Sequence, residues 1–341
     1  MNSEAALGPI RTIDYHTGGE PFRIVVDGVP ELEGRTVLER RRWAMTNVDD
    51  VRHLLVDEPR GHADMYGAFV TPPNDAGADL GVVFFHNEGY STACGHGTIA
   101  LVTWAIDTGR VAATEPETLM TVDVPSGRLA CRAAVRAGRV EAVTFQNVPS
   151  YVVDTEVGIA TSRGDVDVDV SLGGAFYGSV DARSIGLDVS RASLPALIAL
   201  QRELRPGLDQ ALGPRHPDEP ELAGVYGIIF WQSEPAETGA ALVQRNVTVF
   251  ADGEVDRSPC GSGTSARLAL LDASGELARG ERLRHRSIVD SVFEAVVVGD
   301  GPWIGGEPSV VTEVTGSAFR TGTHEFALDP GDPLATGFLL R

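Results

Sequence analysis

Positive charge, cysteine and long apolar runs are all scarce in this chain of 341 residues. Arg and Lys together number 28 against 48 Asp and Glu, a formal net charge of −20. That balance excludes the Lys/Arg clusters that nucleic-acid phosphates and anionic membrane surfaces require. Its plain consequence is solubility. No stretch approaches the ~20 apolar residues of a membrane span. The opening Met1-Asn2-Ser3-Glu4-Ala5-Ala6-Leu7-Gly8 has neither the basic start nor the apolar run of a secretory signal. The three cysteines, Cys94, Cys131 and Cys260, form an odd, sparse set with no Cys-x2-Cys or Cys-x2-His pair. Such spacing excludes a zinc framework and suggests free thiols in a reducing cytoplasm.

What the chain does have is a repeated phrase. Cys94-Gly95-His96-Gly97-Thr98 and Cys260-Gly261-Ser262-Gly263-Thr264 share the spelling Cys-Gly-x-Gly-Thr. Each opens an apolar run that ends at a glycine 15 residues after its cysteine, Gly109 and Gly275. Glycine at that place is the usual helix stop. Upstream, Met65-Tyr66-Gly67-Ala68-Phe69-Val70 is echoed by Val225-Tyr226-Gly227-Ile228-Ile229-Phe230. Both read as strands, as do 80–85 and 243–250. Strands at 118–124 and 293–298 follow the two helices, Leu194 to Leu212 reads as a further helix, and the acid-rich stretches 161–170 and 214–221 read as loops. Length and echo together predict an α/β (α+β) protein of two similar domains with a cleft between them.

A cysteine at a helix start meets backbone N–H groups and the positive end of the helix dipole, which lower a thiol pKa. Glycines beside it let N–H groups approach an anion such as a substrate carboxylate. Two such thiols could remove a proton from one face of a carbon and deliver one to the other. Burial for packing or a redox disulfide would also account for two cysteines. Gly95-x-Gly97-x-x-Ala100 and Gly261-x-Gly263-x-x-Ala266 satisfy the loose dinucleotide fingerprint, but polar stretches, 86–93 and 251–259, separate them from their strands. Cys131, in the alternating stretch Leu129 to Val135, reads as a strand residue.

On these phrases, together with His16-Thr17-Gly18-Gly19-Glu20-Pro21 and Asp256-Arg257-Ser258-Pro259-Cys260-Gly261, the chain resembles the proline racemase family. The resemblance implies a diaminopimelate epimerase-like fold of two pseudo-symmetric domains, each a mostly antiparallel sheet or barrel around a central helix. The first would span 1–140, joined by 320–341, and the second 141–319. It implies Cys94 and Cys260 as the two acid/bases and Gly95, His96, Gly261 and Ser262 as substrate binders, although many members have Thr where Ser262 stands. Asp256 would meet the ring nitrogen and Phe250 the pocket wall. His16 reads as part of a Gly18-Gly19 turn. No cofactor or metal is implied, the partner is a small proline-like substrate, and a homodimer is compatible with the family.

The resemblance divides at the subfamily. The His16–Pro21 motif and Tyr90-Ser91-Thr92 look like the trans-3-hydroxy-L-proline dehydratase branch, yet that branch typically has Thr where Cys260 stands. Elimination needs no proton donor behind Cα, whereas inversion does. Cys260 therefore favours a Cα epimerase of the 4-hydroxyproline type, with the dehydratase as the alternative. A non-catalytic carboxylate-binding protein is the reading from a different class.

Overall fold

In a computed structural model, residues 8–340 are described. Apart from Gly8, the opening segment lies outside the described residues, as does Arg341. The first half holds β1 (Ile10–Thr17), β2 (Glu20–Asp27), α1 (Val37–Asn47), α2 (Asp49–Val56), β3 (Tyr66–Thr71), β4 (Leu80–His86), α3 (Gly95–Asp107), β5 (Glu117–Val124), β6 (Gly127–Arg136) and β7 (Arg139–Gln146). The second holds β8 (Tyr151–Thr161), β9 (Gly164–Leu172), β10 (Phe176–Asp181), α4 (Leu194–Ala211), β11 (Val225–Ser233), β12 (Leu242–Phe250), β13 (Glu254–Asp256), α5 (Gly261–Ser274), β14 (Arg282–Ser287), β15 (Val292–Asp300) and β16 (Val310–Gly316). The last strand, β17 (Ala318–Phe326), returns to pair antiparallel with β1.

The pairings make the duplication explicit. Across the first half, neighbours run β17-β1-β2-β3-β4-β5-β6-β7, with β2–β3 and β4–β5 parallel and the rest antiparallel. Across the second they run β8-β9-β10-β11-β12-β14-β15-β16, with β10–β11 and β12–β14 parallel and the rest antiparallel. The parallel joins fall at the same places, and each spans a helical crossover, as parallel neighbours require. Antiparallel pairing of β7 with β16 links the halves.

Helix α3 is buried from Gly95 through Ile106, and α5 from Gly261 through Leu271. A helix apolar on every side belongs inside a protein rather than on it, and each of these two runs through the middle of its half. Gly109 and Gly275, both at positive φ, end them as expected.

Two stretches differ from the sequence reading. Residues 161–170 are mostly strand, the turn and outer part of the β8–β9 hairpin. The acid-rich look hid a period of two: Val166, Val168 and Val170 are buried, while Asp165 and Asp167 are exposed. Residues 251–259 likewise contain β13, paired to β12.

Candidate active site

The two central helices meet end to end. A Cβ placed on Gly95 would lie 2.5 Å from Gly261 Cα, and one on Gly261 would lie 2.6 Å from Gly95 Cα. Only glycine at both positions permits this approach. The second glycine of each phrase makes room for the thiol: a Cβ on Gly97 would come within 2.7 Å of Cys94 Sγ, and one on Gly263 within 2.9 Å of Cys260 Sγ. Thus the glycines set the distance between the helices and house the sulfurs.

One small cavity lies at this junction. Its walls include Cys94, Gly95, His96, Phe250, Asp256, Cys260 and Ser262, together with Tyr66, Tyr177 and Tyr226. Gly261 stands behind it, against Gly95. The structure therefore gathers seven of the eight candidate residues at one cavity and places the eighth beside it. About 10 Å³ is free, roughly enough for one water.

The cysteines hold their helix starts differently. Cys94 caps α3 in extended backbone, φ −153°, and its sulfur accepts the Gly97 N–H at 3.2 Å. Cys260 sits at φ +62°, ψ 107°, a conformation disfavoured for a residue with a Cβ, and its N–H donates to Ser258 Oγ at 3.1 Å. The helix-start N–H groups lower the thiol pKa values as expected, but in this buried site they do not decide the balance. Burial pushes Cys94 well above its ordinary value and Cys260 to about 12, outweighing the Gly97 and Gly263 N–H groups; the negative charge of Asp256 raises both further.

His96 faces Cys94 Sγ at 3.5 Å, and its Nδ1 is 3.9 Å from Asp256 Oδ2. Burial, with Arg257 nearby, lowers its pKa to about 3, so its ring is neutral. Asp256 Oδ1 accepts the Ser258 N–H at 2.7 Å, and burial raises its carboxyl to about 6. Ser262 Oγ and Tyr177 Oη are 2.8 Å apart, and Tyr177 Oη lies 3.9 Å from Cys260 Sγ. Phe250 stacks on Tyr226, centroids 5.3 Å apart.

The opening motif works from outside the cavity. His16 Nδ1 accepts the Gly19 N–H and its ring stacks on Phe319. Thr17 Oγ1 donates to the His96 carbonyl at 2.9 Å, and Glu20, fully buried, accepts from the N–H of Arg257 at 2.8 Å and pairs with its guanidinium at 3.1 Å. Cys131 is a buried β6 residue, as expected. Among the described residues no group of three His, Cys, Asp or Glu is placed to hold a metal ion, and no helix is long and apolar enough to cross a membrane.

The three tyrosines were missed as site residues. Two carried a signal: Tyr66-Gly67 and Tyr226-Gly227 open equivalent strands of the two halves, β3 and β11. Aromatics at strand starts are usually core, and nothing local separates the two cases.

Known proteins match along the whole chain. It is 46% identical over 329 residues, 96% of this chain and 97% of the other, to a protein of Bacillus cereus named trans-3-hydroxy-L-proline dehydratase. It is 43% identical over 335 residues, 97% and 98% of the two chains, to a Burkholderia multivorans protein named 3-hydroxyproline 2-epimerase. The crystal structure of a hydroxyproline epimerase from Agrobacterium vitis with bound trans-4-hydroxy-L-proline superposes with a TM-score of 0.90 at 33% identity, covering 97% of this chain and 96% of that one. The model of the family described as proline racemase matches residues 12–339. With two facing helix starts, two thiols and this match from end to end, the chain belongs to the proline racemase family of enzymes.

Proposed function

We propose that the protein removes the α-proton of a 3-hydroxyproline and expels its hydroxyl as water, the reaction of a trans-3-hydroxy-L-proline dehydratase. The observation that carries the proton removal is the placement of two thiols on one small cavity where two helix N-termini meet. The α-proton next to a carboxylate is weakly acidic, and the dianion formed must be stabilised by the site. Two positive helix ends converging on one point supply that stabilisation for a bound carboxylate. The N–H groups of Gly95, His96, Gly261 and Ser262 are the donors. Cys94 acts as the base, Asp256 meets the ring nitrogen and Phe250 closes the wall. The chain contains no lysine, so the Schiff base of pyridoxal-type racemisation has no residue to form on.

The choice of elimination rests on the relatives. At 46% identity the name is that of the dehydratase, and at 43% an epimerase of 3-hydroxyproline; the 4-hydroxyproline-bound structure stands at 33%. These weigh against the 4-hydroxyproline epimerase that Cys260 favours in the sequence, and toward its alternative. In elimination, Cys94, which must lose its proton to water before the site closes over the substrate because burial favours the thiol, takes the α-proton, the C3–O bond breaks and hydroxide departs with the bonding pair. The enamine left behind tautomerises to pyrroline-2-carboxylate.

Inversion at Cα remains the second reading, because Cys260 shares the cavity and can return a proton to the opposite face. Trans-3-hydroxy-L-proline incubated in D2O and followed by NMR tests both. The expected product is pyrroline-2-carboxylate. Clean conversion to the deuterated Cα epimer without pyrroline would make the enzyme an epimerase, and no reaction at Cα would reject both. In Cys260→Thr, dehydration is expected to persist and any inversion to vanish.

A further inference from the structure

Hydroxide is a poor leaving group and must be protonated as its bond to carbon breaks. The reading above leaves that donor unnamed. The thiols serve Cα. Asp256 is assigned to the ring nitrogen, and His96 is held neutral by burial.

Hydroxyl groups in the cavity have protons to spare. Tyr66 Oη lies 3.1 Å from Tyr226 Oη and also hydrogen-bonds Ser91 Oγ. Three hydroxyls bring three O–H donors, but the two contacts among them consume only two. One O–H is left; when Ser91 donates inward to Tyr66 it falls to one of the tyrosines, and both tyrosines line the space that the thiols line. The chain of hydroxyls also leads outward: Ser91 and Tyr226 line a separate cleft of about 150 Å³, beside Arg41 and Arg205. It therefore joins the cavity at the thiols to a second, larger one. Tyr66 comes from β3 and Tyr226 from the equivalent β11, so the pair forms only where the halves meet. Burial raises both phenols well above their ordinary value, which keeps them protonated at neutral pH. The other hydroxyl pair, Tyr177 with Ser262, sits beside Cys260 and belongs to the Cα side.

We propose that the Tyr66–Tyr226 hydroxyl pair binds the ring hydroxyl and protonates it as it leaves, with Ser91 carrying the replacement proton from the outer cleft. Hydroxide departs with the C–O pair, takes the phenolic proton and becomes water; the phenolate is re-protonated along the chain. Cys94 later returns its proton to solvent, so protons balance. The inference rests on the elimination reading.

The test compares two leaving groups in wild type, Tyr66→Phe and Tyr226→Phe. Trans-3-hydroxy-L-proline loses hydroxide, which needs a proton, and trans-3-chloro-L-proline loses chloride, which does not. General acid catalysis contributes roughly 10²–10⁴-fold. The chloride-to-hydroxide rate ratio is therefore expected to rise at least about 100-fold in each Phe variant, and by less in Ser91→Ala, which acts only on re-protonation. An unchanged ratio, whether both rates fall together or neither falls, overturns the proposal while leaving the dehydratase reading intact. A wild-type enzyme that exchanges the α-proton yet releases no pyrroline from the hydroxy substrate overturns both.

Discussion

Gly95 and Gly261 are the residues on which the site's geometry turns. Their Cα atoms are so close that neither can carry a methyl group without moving a helix. Gly95→Ala should force the two helix starts apart, with an overpacking cost of about 1–3 kcal/mol. The effect on turnover should be larger than on stability, since displacements on the order of 1 Å can cost ~100-fold in rate. The check is kcat beside a urea melt; a variant with wild-type kcat would show that the helix contact does not set the thiol geometry. At this scale the sequence was partly legible. The repeated Cys-Gly-x-Gly phrase announced the thiols and the turns. It did not announce why the glycines are needed, because the first serves a partner 166 residues away. Nor did it announce the tyrosines, two of which, Tyr66 and Tyr226, meet each other only across the halves.

Elements were legible where punctuation was strong and illegible where charge masked alternation. Helices α3 and α5 could be read from an apolar run between a cysteine and a glycine. The outer part of the β8–β9 hairpin could not, since Asp at every second position resembles a solvated loop. The buried valines between those aspartates are what make it a strand. Val168→Ala should therefore cost about 2 kcal/mol, and the exposed Asp167→Ala should stay within roughly 0.5 kcal/mol. Urea denaturation of the two variants compares them directly. Equal, small losses would mean that the hairpin packs on nothing. The last strand shows the same limit from another side. β17 follows β16 in sequence but is paired with β1, more than 300 residues away; the family resemblance, and not local pattern, is what assigns 320–341 to the first domain.

At the scale of the whole molecule, closure decides the chemistry. The cavity holds roughly one water, so the proline-like substrate proposed above, with its carboxylate, requires the site to open first. Closing without that carboxylate brings two positive helix ends together with no anion between them. It also buries both thiols, which raises their pKa values. These two costs should favour an open form when no substrate is bound. In the open form the sulfurs are solvated and should titrate within about one unit of the ordinary thiol value of ~8.5. The rate of alkylation of Cys94 and Cys260 by iodoacetamide, read peptide by peptide, should accordingly rise with pH to a midpoint near that value. A carboxylate substrate or product should suppress it by holding the halves shut. The sign follows from linkage: closure favours the protonated thiol, so whatever favours closure moves the midpoint upward. A midpoint far above that value in the ligand-free protein, near 12 for Cys260, would mean that the closed form predominates unaided, and that the converging helix ends do not need an anion between them.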